Sequence, residues 1–244
     1  MEFLNLDAFA LLLIGVSFFT SFLTAIAGIG GGVMLLAVMV TVYPPSIVIP
    51  VHGVVQMGSN FFRMGLMRHF IERSIVVPFA IGSCLGAFIG AQFVVALDEV
   101  ALKFILAMFI LYLVWGPPFK RVHLSRRVRF YLSGFITTFA SLFVGASGHL
   151  NSAFIGREGL RKEGQVASVA ACMFCVHVLK TIVFGIVGFV FYDYALLMFL
   201  MIVTGFAGTY VGKHMLFKLP EKLFKIIYKT VITLLALRLL VSIF

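Results

Sequence analysis

Apolar runs fill the chain from end to end, interrupted only by short polar or glycine-containing stretches. They fall at 8–27, 31–43, 46–64, 74–96, 99–116, 130–147, 149–156, 163–189, 194–214 and 220–243. Most approach or exceed the roughly 20 residues that a helix needs to cross a hydrocarbon core of about 30 Å. The strands of a membrane barrel would alternate over much shorter segments. The pattern therefore predicts an all-α polytopic membrane protein of eight to ten segments. Segments 31–43 and 149–156 are too short to span unaided. Each follows a break, "AGIGGG" at 27–32 and "VGASGH" at 144–149, and reads as a half-helix.

Polar residues within the segments are few and patterned. Segment 46–64 carries His52, Gln56, Asn60 and Arg63 at spacings of four, four and three, with Ser59 beside them. That is one stripe on one helix face. Lipid offers no hydrogen bonds, so the stripe must face another helix or a wet cavity. Arg63, nearest the basic loop 63–73, either shares the stripe's path or snorkels toward the headgroups. Lys180 lies well inside 163–189, with His177 one turn before it and Thr181 adjacent. A lysine at that depth costs roughly 2.5–3.5 kcal/mol on insertion scales. It needs an anion, carbonyls or water for company, or must snorkel to the outer headgroups. All nine acidic residues fall at segment ends or in loops. The segments bury base without acid, which favours an anionic substrate over a cation.

Composition agrees with the pattern. Hydrophobic residues make up 62% and charged residues 11% of the 244, and the mean hydropathy is +1.13, which excludes a soluble domain. The net charge of +10 changes the picture through its distribution. Lys and Arg gather in 63–73, 120–129, 157–162 and 213–222, whereas 1–7, 97–99 and 191–194 contain none. By the positive-inside rule the first group is cytoplasmic and the second external. Both termini are then external, provided each glycine-broken segment returns to the side it entered from. This charge serves orientation, not nucleic acid. "MEFLNLD" is acidic where a cleavable signal peptide would be basic, so none is expected. Cys84, Cys172 and Cys175 all lie in apolar runs and imply no disulfide framework. Cys172 and Cys175 sit one helical turn apart and read as packing residues.

The two halves resemble each other. "GAFIGAQFVVALDEVALKFI" (86–105) aligns with "GTYVGKHMLFKLPEKLFKII" (208–227), and "AGIGGG" aligns with "VGASGH". The aligned turns carry opposite charge, acidic at 97–99 and basic at 218–222. That predicts an inverted-topology repeat: 1–116 and 130–244 joined by a basic cytoplasmic linker, 117–129. Each half would hold about four full spans and one glycine-broken half-helix, with a substrate site near the midplane. The glycine run is no nucleotide loop, since there is no βαβ unit, no GK[ST] and no acidic residue about 20 positions on. Half-helix N-termini at the breaks would instead offer free N–H groups and a positive dipole end. Spacings such as Gly82, Gly86 and Gly90 read as close helix packing.

The chain resembles the TauE/SafE family of sulfite and organosulfonate exporters, the DUF81-type membrane permeases. The resemblance rests on G-x-G-G-G at 28–32, the Pro-Pro turn in "YPPSIVI" (43–49), the basic loop 63–73, and the G-x-x-x-G helix with its following turn. Weaker forms recur in the second half. Many members repeat the glycine run and a Thr-Ser pair in both halves. Here the second run is "GASGH", and the pairs are Val51-His52 and Ala167-Ser168. The resemblance implies a bacterial inner-membrane permease that moves small sulfur-containing anions outward, without a cofactor.

The expected activity is secondary transport by alternating access, not enzymatic. The expected substrate contacts are Gly30, Gly31, Gly32, His52, Gln56, Asn60, Ser147, Gly148, His149, His177 and Lys180, with no metal. The expected partners are a small anion, the bilayer, a coupling proton carried on His52, His177 or the substrate, and a second copy of the chain if it is a homodimer. An anion channel and a non-transporting scaffold are the alternatives.

Overall fold

A computed structural model describes residues 7–27, 30–94, 98–117, 124–214 and 221–243; of these, the side chains of 27, 221–225, 227 and 228 are not described. Ten α-helices and two short 3-10 turns make up the described chain, and no strand occurs among the described residues. The helices are α1 (Ala8–Ala27), α2 (Gly31–Met39), α3 (Pro45–Leu66), α4 (Arg73–Val94), α5 (Glu99–Trp115), α6 (Arg126–Val144), α7 (Gly148–Ile155), α8 (Lys162–Ile186), α9 (Ala195–His214) and α10 (Glu221–Val241). Four stretches, Ala8–Ile26, Arg73–Val94, Lys162–Ile186 and Phe191–His214, are long and apolar enough to cross a membrane. The fold is that of an all-α membrane protein.

Helix ends follow local chemistry. Pro45 stands at the first position of α3, where its missing N–H leaves no bond unmade. Asp98 caps α5 by accepting from the Ala101 N–H at 2.7 Å. Helix α6 starts at Arg126, four residues before the apolar run, because Arg126 and Arg129 both pair with Glu158 in the loop after α7. Helix α2 stops at Met39, short of the run's end at 43, and turns through Thr41–Tyr43 into Pro44.

The closest helix pairs are α4 with α6, α1 with α9 and α3 with α8, followed by α5 with α10. Exchanging the first five helices for the last five maps α4–α6 onto α9–α1 and returns α3–α8 and α5–α10 to themselves. The correspondence reaches single residues. Gly86 lies on the Phe135 backbone of α6, and Gly208 lies on the Phe18 backbone of α1; a Cβ at either position would overlap the carbonyl. One turn on, Gly90 abuts Phe139 and Gly212 abuts Phe22. One turn back, Gly82 abuts the Tyr131 carbonyl, whereas its counterpart Thr204 donates to the Ile14 carbonyl at 2.9 Å. Without a strong hydrophobic drive between helices in lipid, such small-residue seams supply the packing.

The basic connections gather at one end. The Glu72 N–H donates to Ser168 Oγ at 2.9 Å, Gly164 lies near the Phe70 carbonyl, and a groove brings Arg73 together with Arg126 and Arg127. At the opposite end, the rings of Tyr43 and Tyr194 meet edge to face, and Phe189 packs on both Phe191 and Tyr194. The main apolar core, including Leu35, Leu36, Met39, Val48 and Ile49, lies on this second side.

Candidate substrate cavity

The two chain breaks are built from backbone geometry that favours glycine. Gly30 precedes α2 with φ 106°, and Gly145 ends α6 with φ 73°, in the region that a Cβ disfavours. Gly31 then presses on α1, where a Cβ would overlap the Thr20 carbonyl. Neither Gly30 nor Ser147, the residues before α2 and α7, caps its helix with a side chain. The first-turn N–H groups, which an α-helix leaves over, thus have no side-chain cap; in α7 the Leu150 N–H turns back to the Ser147 carbonyl at 3.0 Å.

Both half-helices open on one cavity. Gly30, Gly32 and Val33 from the first break, and Ala146, Ser147, Gly148 and His149 from the second, line it together. Helix α3 adds His52, Gln56, Asn60 and Arg63, and α8 adds His177, with Val169 and Met173 as apolar wall. About 50 Å³ is open to the centres of water-sized groups. A single water needs roughly 10–15 Å³ on that measure, so the space suits a few waters or an anion of four or five heavy atoms.

The wall is rich in unspent polar atoms. Ser147 Oγ, Ser152 Oγ, His52 Nδ1, His177 Nδ1 and Arg63 Nε are buried and make no hydrogen bond. Buried polar groups are normally satisfied, so a concentration of orphans around one cavity points to a polar guest. Among the described residues, no aspartate or glutamate lines it. Among the described residues, no group of three or more His, Cys, Asp or Glu could hold a metal ion.

The predicted residues separate into two sets. Gly30, Gly32, His52, Gln56, Asn60, Ser147, Gly148, His149 and His177 line the cavity. Gly31 faces α1 instead, and Lys180 stands behind the wall. Lys180 is wholly buried; its Nζ donates to the Gly145 carbonyl at 2.8 Å. It therefore neither snorkels nor enters the cavity, but holds the second break. His52 does the same for the first, with Nε2 donating to the Gly32 carbonyl at 2.8 Å. The rings of His52 and His177 lie 6.1 Å apart, edge to face.

Three polar lining residues lie outside the predicted contacts. Arg63, for which the sequence left both the stripe's path and snorkelling open, is 5% exposed and donates to Asn60 Oδ1 at 3.3 Å and Ser59 Oγ at 3.2 Å. Its guanidinium is drawn inward because the stripe below it supplies acceptors. Thr24 and Ser152 also line the wall. The spacing of Ser17, Thr20, Ser21 and Thr24 along α1 is a polar stripe that could have pointed to Thr24.

These features define a polytopic α-helical membrane protein with two interrupted helices converging on a buried polar cavity. The chain belongs to the family described as Sulfite exporter TauE/SafE, whose model matches residues 13–239. The family is one of transporters, and membership implies an exporter or permease for sulfite or a related sulfur anion. No curated protein and no solved structure matches the chain.

Proposed function

We propose that the protein is a secondary transporter that exports a small sulfur-containing anion, sulfite or a short organosulfonate, across a bacterial inner membrane. One observation carries this reading: two half-helix N-termini, one from each half of the chain, open on a single cavity that no carboxylate lines among the described residues. Each N-terminus acts as about half a positive charge, and both aim free N–H groups at the space between them. Gln56, Asn60, Ser147 and Arg63 complete a donor shell for an oxyanion.

Alternating access is supported by the equivalence of Gly86–Phe135 and Gly208–Phe18. Two such halves set head to tail would rock about the cavity and open it to each side in turn. The gathering of basic loops at one end supports a cytoplasmic face there and external termini. His52 is the candidate seat for a coupling proton: with Nε2–H committed to Gly32, its Nδ1 gains a donor only when the ring is protonated. A protonated ring beside the cavity would favour an anion.

The experiment is flux in proteoliposomes loaded with sulfite or a short organosulfonate. The reading expects saturable efflux with counterflow, abolished or reduced at least tenfold in Asn60→Ala. Ohmic single-channel currents would instead establish a pore. Absence of both flux and binding, alongside a stable protein partner in pull-downs, would establish a scaffold.

A further inference from the structure

Helices α4 and α6 run parallel, since Gly82, Gly86 and Gly90 abut Tyr131, Phe135 and Phe139 in that order. Both therefore begin side by side at the basic end, and the same register sets Arg126 and Arg127 level with Val77 and Pro78. The groove there, about 490 Å³, is lined by Arg73, Arg126, Arg127 and Tyr131, with Val77 and Pro78 as apolar wall. The central cavity offers only about 50 Å³, so the groove takes a much larger guest.

The positive charge of the groove is only partly answered. Arg126 donates through Nε to Glu158, which Arg129 shares. Glu72, just before α4, accepts from the Ser74 hydroxyl. Arg73 and Arg127 are exposed and make no ion pair among the described residues. Exposed apolar side chains continue from the groove along both helices. Val77, Ile81 and Leu85 on α4, and Val128, Leu132 and Ile136 on α6, each repeat every four residues. A guest held by the arginines thus lies at the head of a surface that faces hydrocarbon. An acidic head joined to apolar tails matches both parts, whereas an inorganic anion or an acidic peptide matches only the first.

We propose that this groove binds the phosphate headgroup of an anionic glycerophospholipid, whose acyl chains lie along Val77, Ile81 and Leu132. Guanidinium groups take phosphate oxygens two at a time, and basic pockets between spanning helices recognise such headgroups. Arg73 and Arg127 supply the phosphate contacts, while Arg126 keeps its pairing with Glu158. Tyr131, half-buried, brings the amphipathic ring that suits a headgroup boundary. The site is separate from the central cavity and stands whether or not the protein carries an anion.

The test uses the full chain, purified in a neutral detergent and stripped of lipid. Cardiolipin should raise its melting temperature by several degrees in a saturable way, and native mass spectrometry should show the cardiolipin retained. Phosphatidylcholine with the same acyl chains, and inorganic phosphate, should do neither. Arg73→Gln and Arg127→Gln should each weaken cardiolipin retention by roughly fivefold or more. Both should keep the lipid-free melting temperature, because neither side chain has an ion pair to lose. Lys213→Gln removes an exposed charge outside the groove and should retain cardiolipin as the wild type does. Absence of cardiolipin retention, or retention unchanged in both arginine variants, overturns the site. Equal weakening in Lys213→Gln overturns it too, since the attraction would then be spread over the whole basic end. Stabilisation by inorganic phosphate equal to that by cardiolipin would make the groove a site for free anions and overturn the lipid assignment.

Discussion

Lys180 Nζ reaches 2.8 Å from the Gly145 carbonyl oxygen, binding the middle of α8 to the second chain break. The room for this comes from α3, where Gly53 leaves the space beside Lys180 Cε free; a Cβ there would sit 2.6 Å from it. His52, the neighbour of Gly53, ties the first break through the Gly32 carbonyl. The crossing of α3 and α8 thus braces both half-helices whose N-termini line the cavity. In a bilayer-facing bundle a buried ammonium is tolerated here because a carbonyl accepts it.

Lys180→Met removes that brace and leaves the Gly145 carbonyl without its partner. An unsatisfied buried acceptor costs about 1–3 kcal/mol, so the melting temperature in detergent should fall modestly. Flux should fall at least tenfold. Gly53→Ala should reproduce the flux defect by displacing the flexible end of Lys180, with less effect on melting. Wild-type flux in both variants would show that the brace is dispensable.

The small-residue seams give a stability prediction. At Gly86 and Gly208 an added methyl meets the backbone carbonyls of Phe135 and Phe18, which cannot swing away. Gly86→Ala and Gly208→Ala should each destabilise the fold by about 1–3 kcal/mol, as overpacking does. Gly65→Ala, with nothing within 4 Å of the new atom, should be neutral or slightly stabilising. Thermal melting of the purified protein separates these outcomes; equal melting of all three would contradict the seam.

Ser147 offers a sharper test of the cavity. Its hydroxyl is buried at the start of α7 and makes no hydrogen bond. Removing it breaks no hydrogen bond, so Ser147→Ala should leave stability within about 0.5 kcal/mol. If the hydroxyl donates to the anion, the KM for efflux should rise by roughly tenfold, the worth of one hydrogen bond at about 1.4 kcal/mol. An unchanged KM would remove Ser147 from the site.

Much of this was legible in the sequence. All ten apolar runs correspond to helices, because a membrane span must satisfy its backbone internally and leaves few alternatives. The stripe His52–Gln56–Asn60 and the breaks at Gly30 and Ser147 also converge on one cavity as the spacing suggested. What spacing could not supply was the rotation of α8, which decides whether Lys180 enters the cavity or passes behind it. The direction of Arg63 was hidden for a related reason. A long side chain near a helix end can reach outward or inward, and only the Ser59 and Asn60 acceptors in three dimensions decide. The partners of the glycine seams, Phe18 and Phe135, have no polar signature to announce them.

The orientation of the two halves is open to labelling from either side. Single cysteines in place of Ser125 and Lys213 should react with an impermeant reagent only from the cytoplasm. Those in place of Glu99 and Tyr192 should react only from outside; all four positions are exposed. Labelling of Glu99 and Lys213 variants from the same side would make the repeats parallel and remove the basis for head-to-tail rocking.

The central claim is that an oxyanion binds between the half-helix N-termini. Selenite, close to sulfite in shape and charge, gives an anomalous X-ray signal that locates it directly in crystals of the full chain. The account predicts a selenium peak among Gly32, Gln56, Ser147 and Gly148, displaced by excess sulfite. A peak elsewhere, or none at concentrations where selenite competes with sulfite for flux, would contradict it.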